Sequence, residues 1–134
     1  MKRIFLFLAT LIFLITTSAC SDKPGILFYK NPVTDVNVMN YESVFKPNVR
    51  IYYLIMMPEK VHSRFLYIQI VKKNNKEGRF GYKLYQTRNI RLKDEELNYY
   101  TDYMVISEPG VYFMQVYSKD DPQTPLSKAQ FYVQ

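Results

Sequence analysis

The chain predicts an all-β fold, a single antiparallel β-sandwich of about seven strands. Short segments rich in β-branched and aromatic residues alternate apolar with polar positions, the two-residue period of half-buried strands. Polar turns rich in Asn, Asp, Pro and Gly separate these segments at intervals suited to stacked sheets. Thirteen tyrosines and nine phenylalanines, against four glycines and no tryptophan, favour strands, and helical periodicity is weak throughout.

The first segment in chain order precedes the fold. Met1-Lys2-Arg3 leads into an apolar run at residues 4–15, then Thr16-Thr17-Ser18-Ala19-Cys20-Ser21. Two cations, a short apolar run and small residues before a cleavage point make a secretory leader. The run is too short for a membrane span, which needs ~20 apolar residues, and Ala9 and Thr10 interrupt it. Thr17-Ser18-Ala19-Cys20 resembles the lipobox of bacterial lipoproteins, with Thr17 where leucine is usual. The resemblance implies cleavage before Cys20, diacylglycerol on its sulfur and an acyl chain, such as palmitate, on its new amino group. Two or more chains hold a protein stably to a bilayer. Ser21 follows the lipidated position, where an aspartate would imply inner-membrane retention, so the resemblance implies the outer membrane. The expected organisation is a signal peptide at 1–19, a lipidated tether at 20–25 and one domain at 26–134. Residues 21–25 reach only about 17 Å at ~3.4 Å each, which keeps the domain near the membrane.

Removing residues 1–19 leaves 115 of the 134 residues, enough for one domain. A chain of that size buries roughly two-thirds of its unfolded surface and can hold a core without disulfides. Cys20 is the only cysteine, so lipidation leaves no disulfide, cysteine metal site or thiol nucleophile. The leader carries Lys2, Arg3 and no acid, which takes the net charge from +6 to +4. That mild basicity suits a surface near anionic lipid or polysaccharide. Nucleic acid is a poor partner for an exported chain.

Strands are expected at 33–41, where Val36 and Val38 alternate with Asp35 and Asn37, and, after the Lys46-Pro47-Asn48 turn, at 49–57. In the latter, Val49, Ile51, Tyr53, Ile55 and Met57 share a face, and Pro58 ends it. A third strand at 64–73 sets Leu66, Ile68 and Ile70 against Phe65, Tyr67, Gln69 and Val71. Asn74-Asn75-Lys76-Glu77-Gly78 reads as a hairpin loop, followed by strands at 80–86, extending toward Leu92, and at 99–106. Lys93-Asp94-Glu95-Glu96-Leu97 between them is a turn or a single helical turn. The last two strands, 111–118 and 127–133, flank the turn-rich stretch from Lys119 to Pro125.

Glu108-Pro109-Gly110-Val111-Tyr112-Phe113-Met114 resembles the corner that opens the penultimate strand of immunoglobulin-like domains. The resemblance implies that Gly110 serves the turn and that the Tyr112 ring is buried while its hydroxyl bonds backbone upstream. Met114 stands where antibody domains carry a disulfide cysteine. The missing cysteine and tryptophan exclude an antibody-type domain and imply an Ig-like β-sandwich held by apolar packing.

If Tyr112, Met114, Val116, Leu66, Ile68 and Ile70 point inward, then Phe65, Tyr67, Val71, Phe113 and Tyr117 point out, joined by Tyr132. In the Ig-like arrangement the three strands share a sheet, whose outer face then carries five aromatics. Such a patch marks an interface, unless a segment such as Ile26-Leu27-Phe28-Tyr29 lies over it or the parity of one strand is inverted; these readings stay open. Lys72, Lys73, Lys76 and Arg79 form the densest basic stretch, joined by Lys83, Arg88 and Arg91 if those strands adjoin it. It is read as a solvated hairpin tip that also discourages edge pairing, with contact to acidic lipid or glycan as the alternative. His62 beside Ser63 lacks a positioned partner for nucleophilic chemistry, and Asp120-Asp121 is a solvated turn, short of the six to eight oxygens of a calcium site. No catalytic residue, metal or cofactor is expected. The expected function is a non-catalytic interaction module of the outer membrane, anchored at Cys20 and binding an unidentified envelope protein. The alternative is a structural envelope component that self-assembles through strand edges.

Overall fold

A computed structural model of the chain describes residues 25–57, 63–74, 81–96 and 98–134. The leader, Cys20 and the tether up to residue 24 lie outside the described residues, as do His62, Lys76 and Arg79. The described residues form eight strands: β1 Gly25–Tyr29, β2 Val44–Phe45, β3 Arg50–Met56, β4 Phe65–Lys73, β5 Tyr82–Arg91, β6 Tyr99–Val105, β7 Gly110–Ser118 and β8 Ser127–Val133. One 3-10 turn, Asp94–Glu96, links β5 to β6.

The strands make two sheets, β1-β3-β6 and β2-β8-β7-β4-β5. The smaller is antiparallel. The larger is mixed, because β2 runs parallel to β8, which corrects the expectation of a wholly antiparallel fold. One core fills the space between the sheets, with Ile51, Tyr53 and Ile55 from one side and Leu66, Ile68, Tyr112, Met114, Val116 and Phe131 from the other. Phe28 of β1 meets Phe131 of β8 across the layers at 4.8 Å between ring centroids.

Alternation decides which residues go inward. On β7, Tyr112, Met114, Val116 and Ser118 are buried while the residues between them are half-buried. On β4 the same holds for Leu66, Ile68 and Ile70. Residue Val49, placed by the sequence on the inner face of its strand, precedes β3 and is exposed.

One expected strand is overturned and one open alternative is decided. Residues 33–41 are no strand but a loop, because local side chains offer the backbone a better set of bonds than a ladder. The Thr34 amide donates to Asn37 Oδ1 at 2.7 Å, and the Asn37 side chain donates back to the Pro32 carbonyl at 2.8 Å. The Tyr29 hydroxyl donates to Val38 O at 2.9 Å. Val33, Thr34 and Val38 thereby lie beside Leu54 and Met56 on the outer side of the smaller sheet. The alternative left open, that Ile26-Leu27-Phe28-Tyr29 covers the aromatic face, does not hold. That segment belongs to β1, paired with β3 in the other sheet.

β5 contains the one break in register along β4. Ile70 pairs with Gln86 and Val71 with Leu84, which leaves Tyr85 as the extra residue of a bulge. The Tyr85 ring turns inward, edge-on to Tyr112 at 5.3 Å.

Candidate interaction face

The outer face of the five-stranded sheet is built by parity. Tyr67 pairs with Tyr117 and Val71 with Phe113 across β4 and β7, while Val111 pairs with Tyr132 across β7 and β8. Phe65 and Tyr132 are exposed, and Tyr67, Val71, Phe113 and Tyr117 are half-buried against one another. The Tyr67 and Tyr117 rings lie 6.2 Å apart. All six residues that the sequence assigned to this face are therefore brought to one surface.

The sequence missed a seventh, Tyr82. Counted back from the buried Ile90, even-numbered residues of β5 point inward, so Tyr82 reads as an inner residue. The bulge at Tyr85 reverses that parity, and Tyr82 emerges on the outer face, edge-on to Phe113 at 5.7 Å. Only a marker of the bulge could have shown this in the sequence, and Gln86-Thr87 beside Tyr85 supplies none.

Cations sit over the rings. Lys128 Nζ is 5.0 Å from the Phe113 centroid, while Lys119 Nζ and Arg91 Cζ are 5.4 and 5.9 Å from that of Phe65. Such contacts hold a cation by the negative face of the ring. Gln69, Gln115 and Gln130 lie between the aromatics, and the Gln130 amide donates to the Tyr132 hydroxyl. No residue of the five strands is acidic.

Lys72 belongs elsewhere, which corrects its assignment to a basic hairpin. It continues the inward row of Leu66, Ile68 and Ile70 and pairs with Tyr112. Its stem crosses Gly110, where an added Cβ would lie 2.7 Å from Lys72 Cε, and its ammonium reaches Glu108 Oε2 at 2.9 Å. Hydrogen bonding and attraction to Lys72 hold the Glu108 carboxyl below its usual range. The Tyr112 hydroxyl donates to Glu108 O at 2.6 Å, and Met114 is fully buried two residues on. Glu108, Gly110, Tyr112 and Lys72 thus form a single corner. Lys73 remains exposed at the end of β4.

A second constellation, unforeseen in the sequence, joins the open sides of the two sheets. Arg88 of β5 is ion-paired with Asp102 of β6, and the Tyr100 hydroxyl donates to the same carboxylate oxygen at 3.0 Å. Burial, with Asp102 close by, pushes the Tyr53 hydroxyl up to about 12. Burial also raises Tyr100, helped by its bond to Asp102. The space beside these groups, lined by Tyr53, Ile68, Ile70, Gln86, Thr87, Arg88 and Met104, is about 10 Å³. A single water needs about that much, so no substrate fits there.

Asp102 and Arg88 instead occupy the free edge of β6. Met57 N donates to Asn98 O, and the same register makes Tyr53 and Asp102 a hydrogen-bonded pair, leaving the Tyr103 amide and carbonyl facing away from β3. Asp102 Oδ1 accepts from the Tyr103 amide at 2.8 Å, and Arg88 donates to the Tyr103 carbonyl at 3.4 Å. Side chains therefore take the outward backbone groups in the middle of this edge.

Asp121 Oδ1 accepts from the Gln123 and Thr124 amides, each at 3.2 Å, and so serves its own turn. Among the described residues no three His, Cys, Asp or Glu side chains converge, and no helix is long and apolar enough to cross a membrane.

No family model matches the chain, and no curated protein does. Similar solved structures include a β-glucosidase from Kluyveromyces marxianus in complex with glucose, 15% identical over 83% of this chain and 14% of that one, with a TM-score of 0.39. Its selenomethionine-labelled form gives 16%, 84%, 14% and 0.41. An alkylpurine DNA glycosylase from Pseudomonas fluorescens, bound to DNA containing an abasic site analog, is 13% identical over 81% of this chain and 30% of that one, at 0.36. The chain spans from 14% to 30% of the length of these proteins, and likenesses this slight identify neither a fold family nor an activity.

Proposed function

We propose that this chain is a lipid-anchored outer-membrane module of a bacterial envelope, in which an immunoglobulin-like sandwich binds a partner envelope protein without catalysis. The leader and the lipobox-like Thr17-Ser18-Ala19-Cys20 support the address. The strand order supports the fold: β1, β3 and β6 correspond to strands A, B and E, and β4, β5, β7 and β8 to C, C′, F and G. Tyr112 then stands near the start of strand F with its hydroxyl on upstream backbone, as the tyrosine corner of such domains requires.

The observation that carries the binding role is the exposed aromatic face. Seven residues from four strands, Phe65, Tyr67, Val71, Tyr82, Phe113, Tyr117 and Tyr132, gather there, and an apolar surface of that kind is a mark of interfaces. Tyrosine suits the role by joining apolar area to a hydroxyl. The rival reading, self-assembly through strand edges, is weakened at β6, where Asp102 and Arg88 already hold the outward groups of Tyr103.

The test replaces Phe65, Tyr67 and Tyr117 with serine. Crosslinking in intact envelopes should recover a specific partner with the natural chain and lose it with the triple variant. The variant should remain folded, at a cost of about 1–2 kcal/mol from the lost cross-strand ring contacts. Undiminished capture would place the contact elsewhere and defeat the proposal.

A further inference from the structure

We infer that the partner presents an acidic polypeptide segment to this face, an inference that rests on the binding role proposed above. The charge pattern carries it. The chain has twelve acidic residues, yet none falls in any of the five strands of the larger sheet. Lys73, Arg91, Lys119 and Lys128 rim the aromatics, and among the described residues none of the four is ion-paired. Of the cations off this face, Lys30, Arg64, Lys72 and Arg88 each hold a carboxylate, while Lys46, Arg50 and Lys93 hold none among the described residues; the rim differs in that all four of its cations are unpaired and gathered around one set of rings.

Three of the four rim cations are held over rings: Lys128 at Phe113, Lys119 and Arg91 at Phe65. Fixing a flexible cation before binding lowers the entropic cost of engaging an anion. The same arrangement argues for carboxylate side chains over a sugar chain, because the cations occupy ring faces on which a sugar would stack. Glutamines 69, 115 and 130 supply amide donors and acceptors between the rings, suited to peptide groups. A second copy of the same face is disfavoured, since it would set cations against cations.

The end of the molecule where the described chain begins mixes the two signs of charge. Gly25, Phe65, Arg91 and Lys119 lie at that end, and so do the acidic turn Asp94–Glu96 and the Asp120-Asp121 turn. An anionic bilayer meeting that end would face acids as well as cations, and it would not reach Lys73 and Lys128 farther along the face, which favours a polypeptide lying across the strands.

The experiment uses the full-length lipidated chain in neutral detergent and a fluorescein-labelled oligoglutamate of about ten residues. Its extended reach of ~33 Å exceeds the width of five strands spaced ~4.8 Å apart. Anisotropy should show saturable binding that weakens with salt. The variant Arg91→Gln/Lys119→Gln/Lys128→Gln should bind at least about tenfold more weakly. Lys30→Gln/Lys46→Gln/Lys93→Gln, with the same loss of net charge off the face, should bind like the natural chain. Equal weakening in both variants would reduce the effect to net charge and overturn the inference. So would tighter binding to polygalacturonate than to the peptide, or tighter binding of the chain without its anchor, Cys20→Ala, to vesicles of phosphatidylglycerol than to the peptide. Envelope crosslinking separates the two levels. Capture lost in the Phe65/Tyr67/Tyr117 serine variant but kept in the rim-charge variant would leave the face standing and overturn the acidic partner; capture kept in both would remove the face itself.

Discussion

At Tyr112 one side chain carries three contacts. Its ring stacks on Phe131 at 5.4 Å and meets Tyr85 edge-on, and its hydroxyl donates to Glu108 O. Burial raises its pKa above that of an ordinary tyrosine, so the hydroxyl stays a donor well above neutral pH. Tyr112→Phe keeps the ring packing and removes only the bond, and should cost about 0.5–1.5 kcal/mol, the usual net value of one hydrogen bond. Urea denaturation measures it, and a midpoint equal to the natural chain's would show that the bond contributes nothing. Tyr112 was legible in the sequence because the two-residue period and the spacing from Gly110 both mark it. Lys72 was not. Charge density placed it with Lys73 at a hairpin, whereas strand parity sends its stem inward across Gly110 to Glu108. A lysine can obey both its charge and its parity because the long apolar stem is buried while the ammonium reaches outward.

Among the elements, most strands were readable and each exception has its own physical cause. β3, β4, β6, β7 and β8 show their alternation over seven to nine residues. β2 has only two residues and no period to read. Residues 33–41 have the period but fold as a loop, since Thr34 and Asn37 bond each other's backbone before a neighbouring strand can. The bulge in β5 hid Tyr82 from the face for the reason a single inserted residue always does: every position beyond it changes side. Equally hidden was the pairing of Arg88 with Asp102, fourteen residues apart and on different sheets. Asp102→Ala should uncover the Tyr103 amide and carbonyl and leave Arg88 without its partner. We expect a stability loss of about 1–3 kcal/mol together with concentration-dependent association in sedimentation velocity. A variant that is less stable yet strictly monomeric at every concentration would mean that the pair braces the sheets without guarding the edge.

The whole molecule has two unlike ends and two unlike faces. β1 begins at the end where Met56, Phe65, Arg91 and Tyr99 lie, so a tether reaching back to Cys20 would hold that end toward the lipid and set the strands upright. The outer side of the smaller sheet has the loop around Val38 against part of it and carries Tyr52, Tyr99 and Tyr103 beside that loop, while the larger sheet spreads its rings over four strands. Cys20→Ala should release the chain from the membrane and leave its melting temperature unchanged. Fractionation with palmitate labelling checks this, and an unlabelled natural chain, or a variant still in the membrane pellet, would count against the anchor. Composition and the leader were enough to expect one domain and an address; the division of charge between faces was not, because it depends on which strands become neighbours. The proposed anchor would add one further demand. Molecules confined to a plane meet far more often than the same number in solution, and they meet side by side, the geometry in which bare strand edges zip into ribbons. With Asp102 and Arg88 closing the middle of the β6 edge, an anchored population would meet with that one edge blunted, each molecule still offering its broad face to something else.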